Sequence, residues 1–292
     1  DIEYTETERE KKDGTTEVIT SDWYYNHEFD DAELRMMIDS ILFSKTIPAG
    51  QAQQLIDKIA GLSNIYFTNK MTHVSSLPGL EHTSNKQTLF NVGIIDDAIS
   101  EHKQISFVYN NYGEDKKLHP RREEPYIVNP YQMVANDGKY YLICNYDKYD
   151  SLSNYRIDKM TQVQIVNSPV KDRSKVKGME HGLNLPKHMA EHIYMFADEP
   201  VTIVLRVNKR AISDVVDWFG SNFDVVDENI ARQYDGFRET DDDVTYVRLV
   251  CSRQAMAHWA MQYGTVCEVI YPTDLRTQIG DAVKVMNERY NN

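Results

Sequence analysis

The stretch Gln104-Ile105-Ser106-Phe107-Val108-Tyr109, with Tyr131-Gln132-Met133-Val134-Ala135-Asn136-Asp137-Gly138-Lys139-Tyr140-Tyr141-Leu142-Ile143 further on, decides the fold. Apolar residues upstream recur at helical spacing; from Gln104 they alternate with a period near two, the mark of strands with one buried face. Ile105–Tyr109 reads as a strand and Asn110-Asn111-Tyr112-Gly113 as its turn. Residues 116–134 read as extended but interrupted by Pro120, Pro125 and Pro130, which strands accept only at edges or bulges. Asn136-Asp137-Gly138 is a tight hairpin turn, because Asn, Asp and Gly tolerate the positive φ angles such turns need. A last strand is expected from Asn154 to Val166. Several antiparallel strands in so short a span predict a small SH3/Sm-like β-barrel over residues 104–170.

Outward toward the N-terminus, residues 21–103 read as a helical linker. Asp30 or Asp31 can cap a helix carrying Leu34, Met37, Ile38, Ile41 and Leu42, with Pro48 expected to stop it. A second helix is expected at about 50–60, ended by Gly61, and a third at about 87–103. Residues 62–86 are polar, with Pro78-Gly79 as a breaker. Ile2–Glu6 and Thr15–Thr20 flank Lys12-Asp13-Gly14, so residues 1–20 read as a β-hairpin. A hairpin opening a chain without an initiator Met implies more sequence upstream. Toward the C-terminus, residues 171–197 read as a polar connector. Residues 198–292 then follow the order β-α-β-β-α-β-α of a ferredoxin-like sandwich with an appended helix, with Ile212, Val215, Val216 and Phe219 facing inward. The fold class expected is α+β.

With 292 residues, 41% hydrophobic and 26% charged, the chain is too apolar for disorder, and no run is long enough to span a bilayer. No membrane partner is expected. Cys144, Cys251 and Cys267 form no paired framework, which points to the cytoplasm. The net charge of −13 would argue against polyanionic partners, but it is unevenly spread. Residues 1–94 carry 15 acidic and 8 basic side chains and residues 172–292 carry 19 and 14, whereas residues 95–171 carry 11 and 10. In that balanced middle segment Lys116, Lys117, Arg121, Arg122, Arg156 and Lys159 are bunched, and an anion site needs only a local positive potential. Lys116 and Lys117 are expected at the solvated end of a hairpin.

His188-Met189-Ala190-Glu191-His192 has two histidines at i, i+4 and a neighbouring carboxylate, as in some zinc peptidases. Without a third ligand or a cleft it reads as a short polar helix with solvated histidines, and no metal is expected. Ser100-Glu101-His102-Lys103 has acyl-enzyme spacing without the companion motifs. No phosphate-cradling loop or nucleophile elbow is present, so no catalytic residues and no cofactor are expected. The ligand-binding candidates are His119, Arg121, Tyr131, Gln132, Tyr141, Asn145, Tyr155, Arg156 and Lys159. Arginine offers two-point contacts to phosphate and tyrosine stacks on bases. Alternation puts Tyr140 and Leu142 on one face with Tyr141 and Ile143 on the other, and it separates Arg156 from Lys159 unless the strand is bulged.

Three strings together resemble the WYL domain: Val128-Asn129-Pro130-Tyr131-Gln132-Met133-Val134, Gly138-Lys139-Tyr140-Tyr141-Leu142-Ile143 and Tyr155-Arg156-Ile157-Asp158-Lys159-Met160. The family's Trp-Tyr-Leu triplet reads Tyr140-Tyr141-Leu142, and Lys159 stands where the family carries arginine, which removes the guanidinium fork. Gln262-Tyr263-Gly264, then Cys267-Glu268-Val269-Ile270-Tyr271-Pro272 and Leu275-Arg276, resemble the WCX extension. The resemblance covers about 95–292 and implies a homodimeric bacterial transcriptional regulator. Its barrel would sense a nucleotide or short single-stranded nucleic acid, with the hairpin as the wing remnant of a helix-turn-helix that reads operator DNA. The competing reading is a ligand-free dimerisation or protein-docking module. Arg156→Ala is expected to weaken ligand binding and leave the fold intact.

Overall fold

The computed structural model describes residues 2–25, 27–63, 67, 83–239 and 243–291. The chain divides into two compact units, Asp1–Leu89 and Phe90–Asn292.

In the first unit, β1 (Ile2–Glu10) and β2 (Thr16–Tyr25) form an antiparallel hairpin. Its turn closes through Lys11 N–H donating to the Thr15 carbonyl, with Gly14 at φ 83°. β2 continues past the expected end at Thr20 because its aromatic end pairs with the start of β1: Tyr4 and Trp23 lie 4.5 Å apart, and the Tyr24 hydroxyl donates to Glu3. Helix α1 (Asp31–Phe43) starts at an N-cap Asp30. The Asp30 carboxylate accepts from the Ala32 and Glu33 amides, and the Glu33 side chain accepts from the Asp30 amide, a reciprocal capping box. The helix ends at Ser44, short of Pro48. That proline instead begins α2 (Ala49–Ala60), where its fixed φ suits a helix start. Leu34, Ile38, Ile56, Ala60 and Phe67 form the core of this unit. The expected breaker Pro78-Gly79 lies outside the described residues.

Helix α3 (Thr88–Ser100) stops short of residue 103, because β3 (Lys103–Tyr112) begins there. β3 also runs through the expected turn at 110–112; the reversal falls at Gly113–Lys117, with Lys116 at φ 60° and both lysines exposed. β4 (Leu118–Pro120) returns along β3. β5 (Tyr126–Asn136) accommodates Pro130 at a register shift, and a turn with Asp137 and Gly138 both at positive φ leads into β6 (Lys139–Asn145). The expected last strand is two strands. β7 (Leu152–Arg156) pairs with β6, a 3-10 turn at Ile157–Lys159 redirects the chain, and β8 (Met160–Pro169) crosses to pair with β3. The sheet order β4-β3-β5-β6-β7, with β8 against β3, makes a curled half-barrel. Ile105, Phe107, Val128, Leu142, Ile157 and Met160 fill it, and α3 packs against them through Ile95 and Ala98.

Residues 171–197, polar in composition, contribute to the packing. They carry α4 (Leu185–Glu191) and bury Val176, Met179, Ile193 and Met195. Four antiparallel strands follow: β9 (Pro200–Asn208), β10 (Phe223–Val226), β11 (Val244–Ser252) and β12 (Cys267–Tyr271). Their order β10-β11-β9-β12 is that of a ferredoxin-like sheet. Helices α5 (Ile212–Phe219), α7 (Arg253–Tyr263) and α8 (Thr273–Asn291) connect or extend them, and a short α6 (Glu228–Ala231) lies between β10 and β11. Alternation along β9 sends Ile203, Leu205 and Val207 to a core with Val215, Phe219 and Trp259. Val216, expected inward, is exposed: on a helix it lies about 100° round from Val215, off the buried stripe. Val204 joins the opposite face with Tyr246 and Ile270, covered by Ala231, Tyr234 and Phe237.

That cover depends on Gly236, where a Cβ would lie 2.7 Å from the Ile270 carbonyl oxygen. Gly236→Ala is expected to destabilise the protein by about 1–3 kcal/mol through this overlap with backbone, read as a lower urea midpoint at unchanged slope.

Candidate functional site

The 3-10 turn between β7 and β8 governs the charged side chains of the barrel. Asn110 pins it, donating from Nδ2 to the Lys159 carbonyl at 2.9 Å and to the Thr161 hydroxyl at 3.0 Å. The Arg156 amide donates to the Tyr109 hydroxyl, which burial pushes up to about 12 in pKa. Arg156 grips Asp158 at two points, Nε to Oδ1 at 3.0 Å and Nη2 to Oδ2 at 2.7 Å. The Asp158 side chain is fully buried and that of Arg156 is 22% exposed. Burial alone would lower the Arg156 pKa, but the hydrogen bonds and charge of Asp158 raise it. The fork is therefore occupied, and only the remaining N–H groups can reach a ligand. The turn also resolves the separation of Arg156 from Lys159 that a continuous strand would impose. Burial lowers the Lys159 pKa, and the charge of Arg156 lowers it further; Asp158 opposes this, while Arg121 and Lys139 add to it, so Lys159 feels the charge of each.

Arg121 also belongs to a shallow cavity of about 580 Å³. Tyr126, Tyr146, Tyr149 and Tyr155 supply its aromatic surface, and Arg121, Arg122 and Lys148 its charges; among the described residues no carboxylate lines it. The Tyr146 and Tyr155 hydroxyls share a 2.7 Å hydrogen bond, and burial raises the pKa of both. Arg122 stacks over the Tyr126 ring at 3.6 Å and donates to the Glu124 and Pro125 carbonyls, which fixes its plane. Of the sequence candidates, Arg121 and Tyr155 line this cavity, while Arg156 and Arg121 both act on Lys159 through their charge. Tyr141 pairs across the sheet with Arg156, but its ring is buried with Val134, Ile143 and Met195.

The other candidates lie elsewhere. Tyr131 is buried against Val176 and Met179 and donates its hydroxyl to the Lys171 carbonyl; burial pushes its pKa up to about 12. Asn145, fully buried, donates to the Tyr149 and Ser151 carbonyls and so shapes the β6–β7 loop. Gln132 is exposed, and His119, also exposed, bonds to Asp115 at 2.9 Å. Sequence reasoning counted Arg122 among the bunched cations but not among the ligand candidates, and passed over Tyr126, Tyr146, Lys148 and Tyr149. They sit in loops or at strand ends, where periodicity does not assign a direction to a side chain.

The histidines of α4 are not solvated. His188 and His192 are buried and stacked 4.3 Å apart, and His192 Nδ1 donates to the His188 carbonyl. A cavity of about 510 Å³ does adjoin them, lined also by Asn154, Leu183 and Asp198. Among the described residues no group of three or more His, Cys, Asp or Glu is placed to hold a metal ion. No helix among them is long and apolar enough to cross a membrane.

A curled half-barrel with an aromatic, cationic mouth, followed by a ferredoxin-like sheet, defines a two-module α+β protein. Residues 91–165 match the family model of the WYL domain and residues 199–286 that of the WCX domain, together more than half of the chain. The chain belongs to the WYL-domain family, in the form that carries a WCX domain. No catalytic family is indicated. No curated protein sequence matches. Among solved structures, proteasome accessory factor B/C of Arthrobacter aurescens is 12% identical with a TM-score of 0.33, the match covering 94% of this chain and 39% of that one. This chain thus spans well under half the length of that protein. A crystal structure of a CRISPR Cas-related protein is 13% identical with a TM-score of 0.43, covering 91% of this chain and 75% of the other.

Asp158 has a consequence for mutagenesis. Arg156→Ala is expected to cost stability as well as binding, because it removes the two-point grip on a fully buried carboxylate; a loss of about 2–3 kcal/mol is expected in urea unfolding. A second expectation concerns pH. Burial, then the neighbouring His192, lowers the His188 pKa from 6.5 to about 4. Above pH 6.5 folded and unfolded states are both neutral at this site. As pH falls the unfolded state takes the proton first, so stability falls between pH 6.5 and about 4, by up to about 1.4 kcal/mol per pH unit from this group. Unfolding of His188→Gln measured at pH 7 and pH 5 should lack that component.

Proposed function

We propose that this chain is the effector-sensing portion of a bacterial WYL-family transcriptional regulator, and that its barrel binds a nucleotide-like or short single-stranded nucleic acid ligand. The observation that carries the reading is the cavity in which four tyrosines meet Arg121, Arg122 and Lys148 with no lining carboxylate among the described residues. Tyrosine faces stack on any base, and guanidinium and ammonium groups take the phosphates. Arg156 and Lys159 extend the positive field from Arg121. The reach of the site is a few nucleotides, consistent with a chain of net charge −13 that offers no long basic track.

In this reading residues 104–170 sense the ligand, residues 198–292 form the WCX module and residues 21–103 link the sensor to a helix-turn-helix of which the hairpin is the wing. Operator DNA is read through that helix-turn-helix by a cytoplasmic homodimer. Ligand and operator then alter each other's affinity by the same factor. The chain performs no catalysis in this reading.

The test is fluorescence anisotropy with a labelled oligothymidylate five nucleotides long. Arg121→Ala and Arg122→Ala should each weaken binding about tenfold or more, and wild-type log affinity should fall with log salt at a slope of about −2, for three cations on a single strand. Equal affinity in wild type and both variants would overturn the site.

A further inference from the structure

The ferredoxin-like sheet holds a second group of cations, away from the barrel mouth. Arg206 lies on the central strand β9, directly opposite Tyr246 on β11 and Glu268 on β12. A cross-strand Arg–Glu pair ordinarily forms an ion pair. Here Glu268 is engaged by two other arginines, Arg276 at 2.6 Å and Arg238 at 3.5 Å. Arg276 is further fixed by donating to the Val269 carbonyl. Two guanidinium groups therefore hold the one carboxylate, and Arg206 is left over. Its Nε is buried with no hydrogen-bond partner among the described residues. A buried donor of this kind, on a charged group, calls for an acceptor.

All four side chains open on one cavity of about 820 Å³ beneath α8. The rest of its wall is largely apolar, with Val266, Ile279, Val283 and Met286 among the lining residues. Val283 and Met286 are about half exposed, so this wall is open to a ligand. The charged part of the wall carries three positive charges against one negative, and much of the remainder is hydrocarbon. An inorganic ion would satisfy the first and leave the second wet; a neutral apolar molecule would do the reverse.

We propose that this cavity binds a small organic oxyanion with an apolar tail, its carboxylate or phosphate accepting from Arg206 and its tail lying against the inner face of α8. The site is separate from the barrel and does not depend on what the barrel binds. A free alkyl carboxylate and an alkyl phosphate present the same chemistry, and the measurement distinguishes them.

Isothermal titration of the full chain with octanoate, octyl phosphate, octanol and inorganic phosphate tests the proposal. At least one of the two amphipathic anions should bind, and more tightly than octanol or inorganic phosphate. Arg206→Gln should weaken that binding about 10- to 100-fold, the range for loss of a charge-assisted hydrogen bond, without altering oligothymidylate affinity at the barrel. Glu268→Gln, which removes the repelling carboxylate and frees two guanidinium groups, should tighten it about three- to tenfold. Because the two variants move in opposite directions, a folding defect does not imitate the result. Absence of binding by both anions, equal binding of octanol or inorganic phosphate, or affinity unchanged in Arg206→Gln would overturn the proposal.

Discussion

The ion pair between Arg156 and Asp158 is the contact on which the barrel turns. A carboxylate with no exposure must be compensated where it stands, and the two-point grip of the guanidinium does so within a span of three residues. The pair is made across a 3-10 turn that interrupts the strand. That turn ends β7, sends β8 across to β3 and brings Lys159 into the field of Arg156 and Arg121. The pair thus sits where the sheet changes direction and holds Arg156 beside Lys159.

A second polar network ties the far side of the barrel to the segment that follows it. Asn129 donates to Asp147, Gln104 donates to both Asn129 and Asp147, and the Lys171 amide donates to the Asn129 side chain. Lys171 then reaches the Tyr149 carbonyl and Asp150 with its ammonium group. Tyr131, whose hydroxyl meets the Lys171 carbonyl, belongs to this seam, and so does Asn145 through the same loop. In a low-dielectric interior such groups are stable only as a satisfied set, which explains why polar residues at 129, 131 and 145 lie among apolar neighbours. They hold the loop bearing Tyr146, Lys148 and Tyr149 against the cavity without lining it as a group.

Most strands, the tight turn at 136–138 and the ferredoxin-like succession of elements were legible because each rests on local rules: alternation, positive φ and helix spacing. A helix start capped at Asp30 or Asp31 was legible for the same reason, though not the reciprocal box between Asp30 and Glu33. The division of the last strand was not, since Tyr155-Arg156-Ile157-Asp158-Lys159 alternates acceptably as a strand and only the burial of Asp158 breaks it. The histidines of the connector misled because composition counts polar residues without recording which are buried; His188 and His192 are shielded by tertiary packing that no local pattern encodes. For the candidate site, residue type pointed to cations and tyrosines in the barrel. It could not separate Arg121 and Tyr155, at the cavity, from Tyr131 and Asn145, which bond inward.

The three cysteines lead in a practical direction. Cys144, Cys251 and Cys267 are all buried, and desolvation raises each thiol pKa, to about 12 for Cys251 and Cys267. At neutral pH almost none of their sulfur is thiolate, the form that alkylating reagents attack. The native chain is in effect chemically blank toward maleimides. A single cysteine placed on an exposed position near the mouth of the barrel would carry a dye at that position alone, turning the protein into an optical reporter of its own occupancy.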